Sequence, residues 1–444
     1  MRFVSMGKGR MLSAALAAGV ALGAVAIATP AAAADKKADA KGAKTAYSKE
    51  FVAAAGPLQT KVAAIQAAKA KVDAKAPGAQ AEFDAAIAGA AAMETAAEAA
   101  IMNADDKLAA GQLAVNLGGF LDDIPMRQRG AKMILDSGKL DPAKVPDFQF
   151  YLGNFAYGNK DYATAAAALS AAVAGGYKGD EAAELMADAY AKAGQPGQGL
   201  VALKKAVDAR RAAGQPVPAN WLKRANVIAY NAKLPSESLD WALTQVELYP
   251  SNFNWLGSAQ LVRRFSNYGP NETIDLFRLM WRAGAYDNDP KLLGNEFKEY
   301  VEAADPRRLP GEVVQVIDKG LATGALANSR QWASDMRNLA SGRIAADKAS
   351  LPASPAAASN GVNLLSNGDA WLNYGDAAKA EAFFQAALGK GGVDKDRVLT
   401  RLGIAQFDQG KYAQAKAAFA QVGGTRAPLA RLWLALVKQK APTA

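Results

Sequence analysis

The chain has 444 residues, more than one ordinary core supports, with 51% hydrophobic and 21% charged residues and a mean hydropathy of −0.07. That combination predicts an extended array or several domains of a water-soluble protein. Without cysteine or histidine it can form no disulfide, thiolate metal site or imidazole-based triad, and the formal charge of +10 is scattered, tolerating anionic neighbours without demanding them.

In chain order, residues 1–34 read as a secretory signal. Arg2, Lys8 and Arg10 form a basic start, an apolar run follows, and Thr29, Pro30 and the alanines before Asp35 supply a small-residue cleavage site. With no cysteine there is no lipid attachment, so the expectation is an exported, periplasmic protein without a transmembrane segment once the signal is removed. Residues 35–47 are rich in lysine and alanine and read as a disordered leader. Residues 48–112 read as an Ala-rich helical segment. Val52, Ala55, Leu58, Val62 and Ile65 mark one helix face, Gly56-Pro57 is expected to break or kink it, and a second helix is expected over 79–110. A helical pair follows at 113–120 and 127–135, ended by Asp136-Ser137-Gly138.

The next stretch contains a repeat. Leu152-Gly153, Tyr157, Asp161-Tyr162, Ala165, Leu169 and Ala172 are answered about 34 residues further on by Met186-Ala187, Tyr190, Gly194, Leu203 and Ala206. The pattern returns as Gly368, Trp371, Gly375-Asp376, Ala380, Phe384 and Ala387, and again as Gly403, Phe407, Gly410-Lys411-Tyr412, Ala415 and Phe419. Small residues such as Gly153 and Ala165 suit a helix crossing, and Asp161 is placed to cap a second helix. Between the two blocks, Trp221, Trp241, Trp255 and Trp281 cluster with several other aromatics. They suit either an aromatic groove for a peptide or sugar, or the core of diverged repeats, and the core is the expected reading. Helices are expected over 291–303, 311–321 and 329–346, and residues 350–360 read as a flexible linker. A final amphipathic helix carries Leu432, Trp433, Leu436 and Val437 on its apolar side.

These repeated residues resemble tetratricopeptide repeats. Pro196-Gly197 stands where the second copy would keep a turn aromatic, and Gly199 where it would keep its crossing alanine. The resemblance implies an all-α fold, an α-solenoid of antiparallel helix pairs, with an array over 113–349 and a C-terminal pair with its capping helix over 361–444. It also implies a concave face lined by the first helix of each pair. On that face would stand Asp147, Phe150, Asn154 and Tyr157 from one copy and Glu181, Glu184 and Asp188 from the next. They form an acidic and aromatic contact surface that does not reproduce the Lys/Asn/Arg carboxylate clamp of chaperone-binding relatives.

No phosphate loop or dinucleotide fingerprint is present. Asp287 and Asp289 lack the further ligands of a calcium loop and read as a solvated turn. Neither cofactor, metal nor catalytic residue is expected. The reading is a non-enzymatic periplasmic scaffold for an envelope protein or peptide, with no nucleic-acid partner. The alternative is a glycan-handling array of exopolysaccharide export or cell-wall assembly, marked by sugar stacking on Trp241, Trp255 or Trp281.

Overall fold

The computed structural model describes residues 47–357 and 360–441. The signal expected at 1–34 and the leader, apart from Tyr47, lie outside them. Among the described residues all regular structure is helical, and none of these helices is long and apolar enough to cross a membrane. The chain divides into two compact units, one ending at Gly214 and the other beginning at Gln215.

The first unit contains α1 (Lys49–Asp73), α2 (Ala79–Ile87), α3 (Ala90–Ala99), α4 (Ala104–Phe120), α5 (Ile124–Asp136), α6 (Val145–Gly158), α7 (Tyr162–Ala174), α8 (Glu181–Lys192) and α9 (Pro196–Ala212). From α4 onward each helix packs on the next. The expected break at Pro57 does not occur, and α1 runs through it. Pro57 and the Ala53 carbonyl it leaves without a donor lie on the exposed side, where the carbonyl is open to solvent and the lost bond costs less than it would in a core. The single helix expected over 79–110 is instead three elements. Gly89, at φ 73°, starts α3 in the left-handed region, and the Asn103 side chain accepts from the amides of Asp105 and Asp106 to start α4.

Hairpin geometry follows from residue size. Gly153 of α6 faces Leu169 of α7, and a Cβ there would stand 2.5 Å from the leucine Cγ. In the α4/α5 pair two glycines meet, and a Cβ on either Gly111 or Gly130 would stand 2.7 Å from the other's carbonyl oxygen. Gly199, which departs from the repeat pattern, lies at the α8/α9 crossing, 2.8 Å by the same measure from the Ala187 oxygen. The two small residues have exchanged sides of the crossing, and the pair still closes. Asp161 caps α7 through the Thr164 amide at 3.2 Å.

The second unit contains α10 (Ala219–Asn231), α11 (Pro235–Leu248), α12 (Asn252–Ser266), α13 (Pro270–Arg282), α14 (Gly294–Ala304), α15 (Pro310–Ala322), α16 (Arg330–Ser350), α17 (Gly361–Asn373), α18 (Ala377–Lys390), α19 (Lys395–Asp408), α20 (Tyr412–Phe419) and α21 (Ala427–Lys440). The crossing of the first unit recurs at the same spacing. Gly368 faces Phe384 and Gly403 faces Phe419, where a Cβ would stand 2.5 and 2.6 Å from the rings. This array also folds back on itself. Besides shielding α20, α21 packs against α11, α12 and α13, and α19 packs against α13. Gln439 reaches the Val246 carbonyl at 2.8 Å, and Arg431 pairs with Asp240 at 2.7 Å. One core therefore runs from Val246 to Val437. Trp371 donates to the Pro352 carbonyl at 3.2 Å. Pro352, in the stretch read as a flexible linker, is thus tied to α17, and the division of the chain lies at Gly214/Gln215.

Candidate partner-binding surface

Six of the seven residues expected on the contact face are at least partly accessible. Asp147 and Glu181 are exposed, and Asn154, Tyr157, Glu184 and Asp188 are half-buried. Their helices α6 and α8 are neighbours, because α7 folds back between them in sequence and returns the chain alongside. Phe150 is the exception. It is 4% exposed, its ring stacked on Tyr177 with centroids 4.3 Å apart. An aromatic ring gains more from that apolar stack than from water, so Phe150 belongs to the core beneath the surface and not to the surface itself.

The polar groups above it are joined in pairs. The Tyr177 hydroxyl donates to Glu181 at 2.9 Å. Burial, reinforced by that carboxylate, pushes its phenol above the usual tyrosine range. Burial and the nearby Asp147 likewise raise Tyr151. The Tyr157 hydroxyl donates to Asp188, its ring meets Tyr162 edge-on at 5.5 Å, and the Lys192 ammonium lies 5.7 and 5.4 Å from the two rings. The result is a stiff base of aromatic and paired polar groups under a rim of Asp147, Asn154, Glu181 and Glu184. Such a rim can exchange hydrogen bonds and salt bridges with a bound chain. Among the described residues no group of three or more acidic side chains is placed to hold a metal.

Three of the four clustered tryptophans belong to the core. Trp221, Trp241 and Trp255 are 4%, 4% and 3% exposed, which leaves no ring face for a sugar. Trp281 is half-buried, with Lys319 over its ring at 4.8 Å. Asp289 holds the Lys291 amide and Asp287 pairs with Lys319, consistent with a turn.

Two features of the second unit escaped the sequence reading. The first is a buried ionic network. Asp275, fully buried, accepts from Arg278 at 3.1 Å, Arg401 at 3.2 Å and Arg426 at 2.7 Å. Arg278 also holds Glu312, which accepts from the Tyr300 hydroxyl at 3.2 Å. Burial alone would raise the Asp275 carboxyl, but Arg401, Arg426 and Arg278 outweigh it and hold it at about 2. A signal for this existed in the sequence: Asp275, Arg278 and Arg282 share one face of α13 with Ile274 and Trp281, and Arg401 stands in the apolar stripe of Val398, Leu402 and Ala405. Charges set into an apolar stripe at helical spacing mark a buried pair.

The second feature is a groove of about 630 Å³. Leu399, Leu402 and Gln406 of α19 form its floor, with Leu388 and Val393 on one side and α20 on the other. Its residues come from α18, α19, α20 and the segments that follow α18 and α20, and only their packing brings them together. No protein-family model and no curated protein matches the chain.

Proposed function

We propose that this protein is a non-catalytic tetratricopeptide-type scaffold of the bacterial periplasm that holds a segment of an envelope protein. The observation that supports this most is the α6/α8 face. Asp147, Asn154, Glu181 and Glu184 remain accessible there above the Phe150–Tyr177 stack and the Tyr157–Asp188 pair. A surface stiffened before its partner arrives loses little entropy on binding, as a docking platform requires. Export is supported by the basic start, apolar run and alanine cleavage site of residues 1–34. The burial of Trp241 and Trp255 favours a protein segment over a glycan, because sugar stacking needs an open ring face.

The test is crosslinking of the tagged full-length chain in cells, followed by recovery from the envelope fraction. Asp147→Lys with Glu184→Lys reverses charge on the rim while leaving the Phe150 core intact, and the crosslinked partner set should shrink. An unchanged set with both substitutions in place defeats the α6/α8 surface, and recovery of the chain only from the cytoplasm defeats the location.

A further inference from the structure

We propose that Glu94 is a proton-operated latch, which holds the N-terminal helices α1–α3 against α4 and α5 in acid and loosens them as the medium turns neutral. Glu94 lies on the inner face of α3 between Ala90 and Ala97, one helical turn from each, and all three are buried. Ala90 and Ala97 belong to one apolar cluster with Leu58 and Val62 of α1, Ile87 of α2, and Ala110 and Leu113 of α4. The charges that act on Glu94 come from elsewhere: Glu98 on α3 itself, Arg129 on α5, and Asp123 at the start of α5.

The same helices show what a buried carboxylate receives when it is held as an anion. Asp106 of α4, fully buried, accepts from the Ser48 amide at 3.0 Å, the Ser48 hydroxyl at 2.7 Å and the Met102 amide at 3.0 Å. Glu94 has no such shell. Its Oε1 is buried without a hydrogen-bond partner, and its Oε2 meets an Arg129 nitrogen at 3.5 Å. Arg129 is exposed and also faces Glu98 at 3.7 Å, so two carboxylates share one cation at long range. A carboxyl that is 2% exposed, short of donors and beside a like charge costs less to keep neutral than ionised. Burial, reinforced by Glu98, accordingly raises it above its ordinary 4.5 against Arg129. The neutral form is complete below the ordinary value, and its stabilisation is lost as pH rises through the folded one. The charge that then forms sits in the seam of α3, a helix of 10 residues that are mostly alanine and bury little apolar area each. The latch rests on the export reading only for its stimulus, the acidity of the medium, and uses no residue of the α6/α8 face.

Hydrogen–deuterium exchange of the full chain, corrected for the intrinsic effect of pH on exchange, tests this between about pH 4.5 and pH 8. Protection of α3 should fall severalfold as pH rises, while α6–α9 keep theirs. Glu94→Gln keeps the shape without the charge, so α3 should stay protected at both ends of the range. Arg129→Gln removes the shared cation, so the loosening should grow and extend to higher pH; a merely structural arginine would loosen α3 equally at every pH. Protection of α3 that is flat with pH, a pH response that survives Glu94→Gln, or a pH-independent effect of Arg129→Gln each overturns the proposal. Circular dichroism shows whether Glu94→Gln folds, and if it does not, the unmodified chain and Arg129→Gln decide between these outcomes. Asp147→Lys with Glu184→Lys should leave the response unchanged, which separates failure here from failure of the α6/α8 surface.

Discussion

The two units use one kind of helix pair for opposite ends. In the first, side chains are small and apolar contact is local. Its core separates into clusters around Phe51, around Leu152 and around Leu169, and α7 is largely alanine. Its ion pairs lie mostly toward solvent, as with Lys204 and Asp208. In the second, large aromatics fill one core, Trp433 stacks on Phe419 at 5.1 Å, and charges are buried to join distant parts of the chain, such as Asp275 with Arg401 and Arg426. Stability built from neighbouring pairs is additive and can be lost piecemeal. Stability built from closure is lost together.

All seven tryptophans lie beyond Gly214, so their fluorescence reports the second unit alone and separates the two behaviours. The largest expected effect is Asp275→Ala, which strands Arg278, Arg401 and Arg426 without their shared carboxylate. A loss of about 3–5 kcal/mol is expected, read as tryptophan emission moving to lower denaturant while a transition of the first unit stays in place. A single shifted transition for both units breaks the comparison. Phe419→Ala, at a ring that is 1% exposed, should cost about 3–5 kcal/mol and shift the same transition.

Acid sharpens the contrast. The folded Asp275 carboxyl sits at about 2, below its ordinary 3.8. Its contribution is therefore complete above the unfolded value and disappears as pH falls from about 4 toward 2. In the first unit burial, then Glu98, raises Glu94 against Arg129. That group acts with the opposite sign: its stabilisation is present at low pH and is lost as pH rises through the folded value. Tryptophan emission should thus change in acid before the helical circular dichroism is fully lost, and coincident curves would contradict this.

Gly153→Ala should cost about 1–3 kcal/mol, because the new Cβ meets a leucine side chain that can move only by disturbing the α6/α7 seam. Thermal melting followed by circular dichroism beside tryptophan emission measures it: the helical signal should shift while the tryptophan signal, which comes from the second unit, stays in place. The smallest effect is Asp161→Ala, about 1 kcal/mol from a lost helix cap, and a shift confined to the first unit is expected.

Much of the helical organisation was legible because its causes are local. Asp161 and Asp376 cap the helices they precede, and the glycines at 153, 368 and 403 mark crossings that recur at one spacing. The helix breaks near Gly89 and Asn103 were missed because alanine favours helix on both sides and hides the punctuation. The candidate face was legible as a set of positions on α6 and α8, but Phe150 was misplaced, since nothing nearby in sequence shows that Tyr177 folds over it.

What the amino-acid order determined alone is each hairpin: propensity, caps and side-chain size act over a few turns of chain. Tertiary structure decided what lies between distant hairpins. The return of α21 to α11–α13, the burial of three arginines around Asp275 and the groove over α19 all depend on the accumulated angles between successive pairs. Those angles arise from packing among side chains far apart in sequence, which no local pattern encodes.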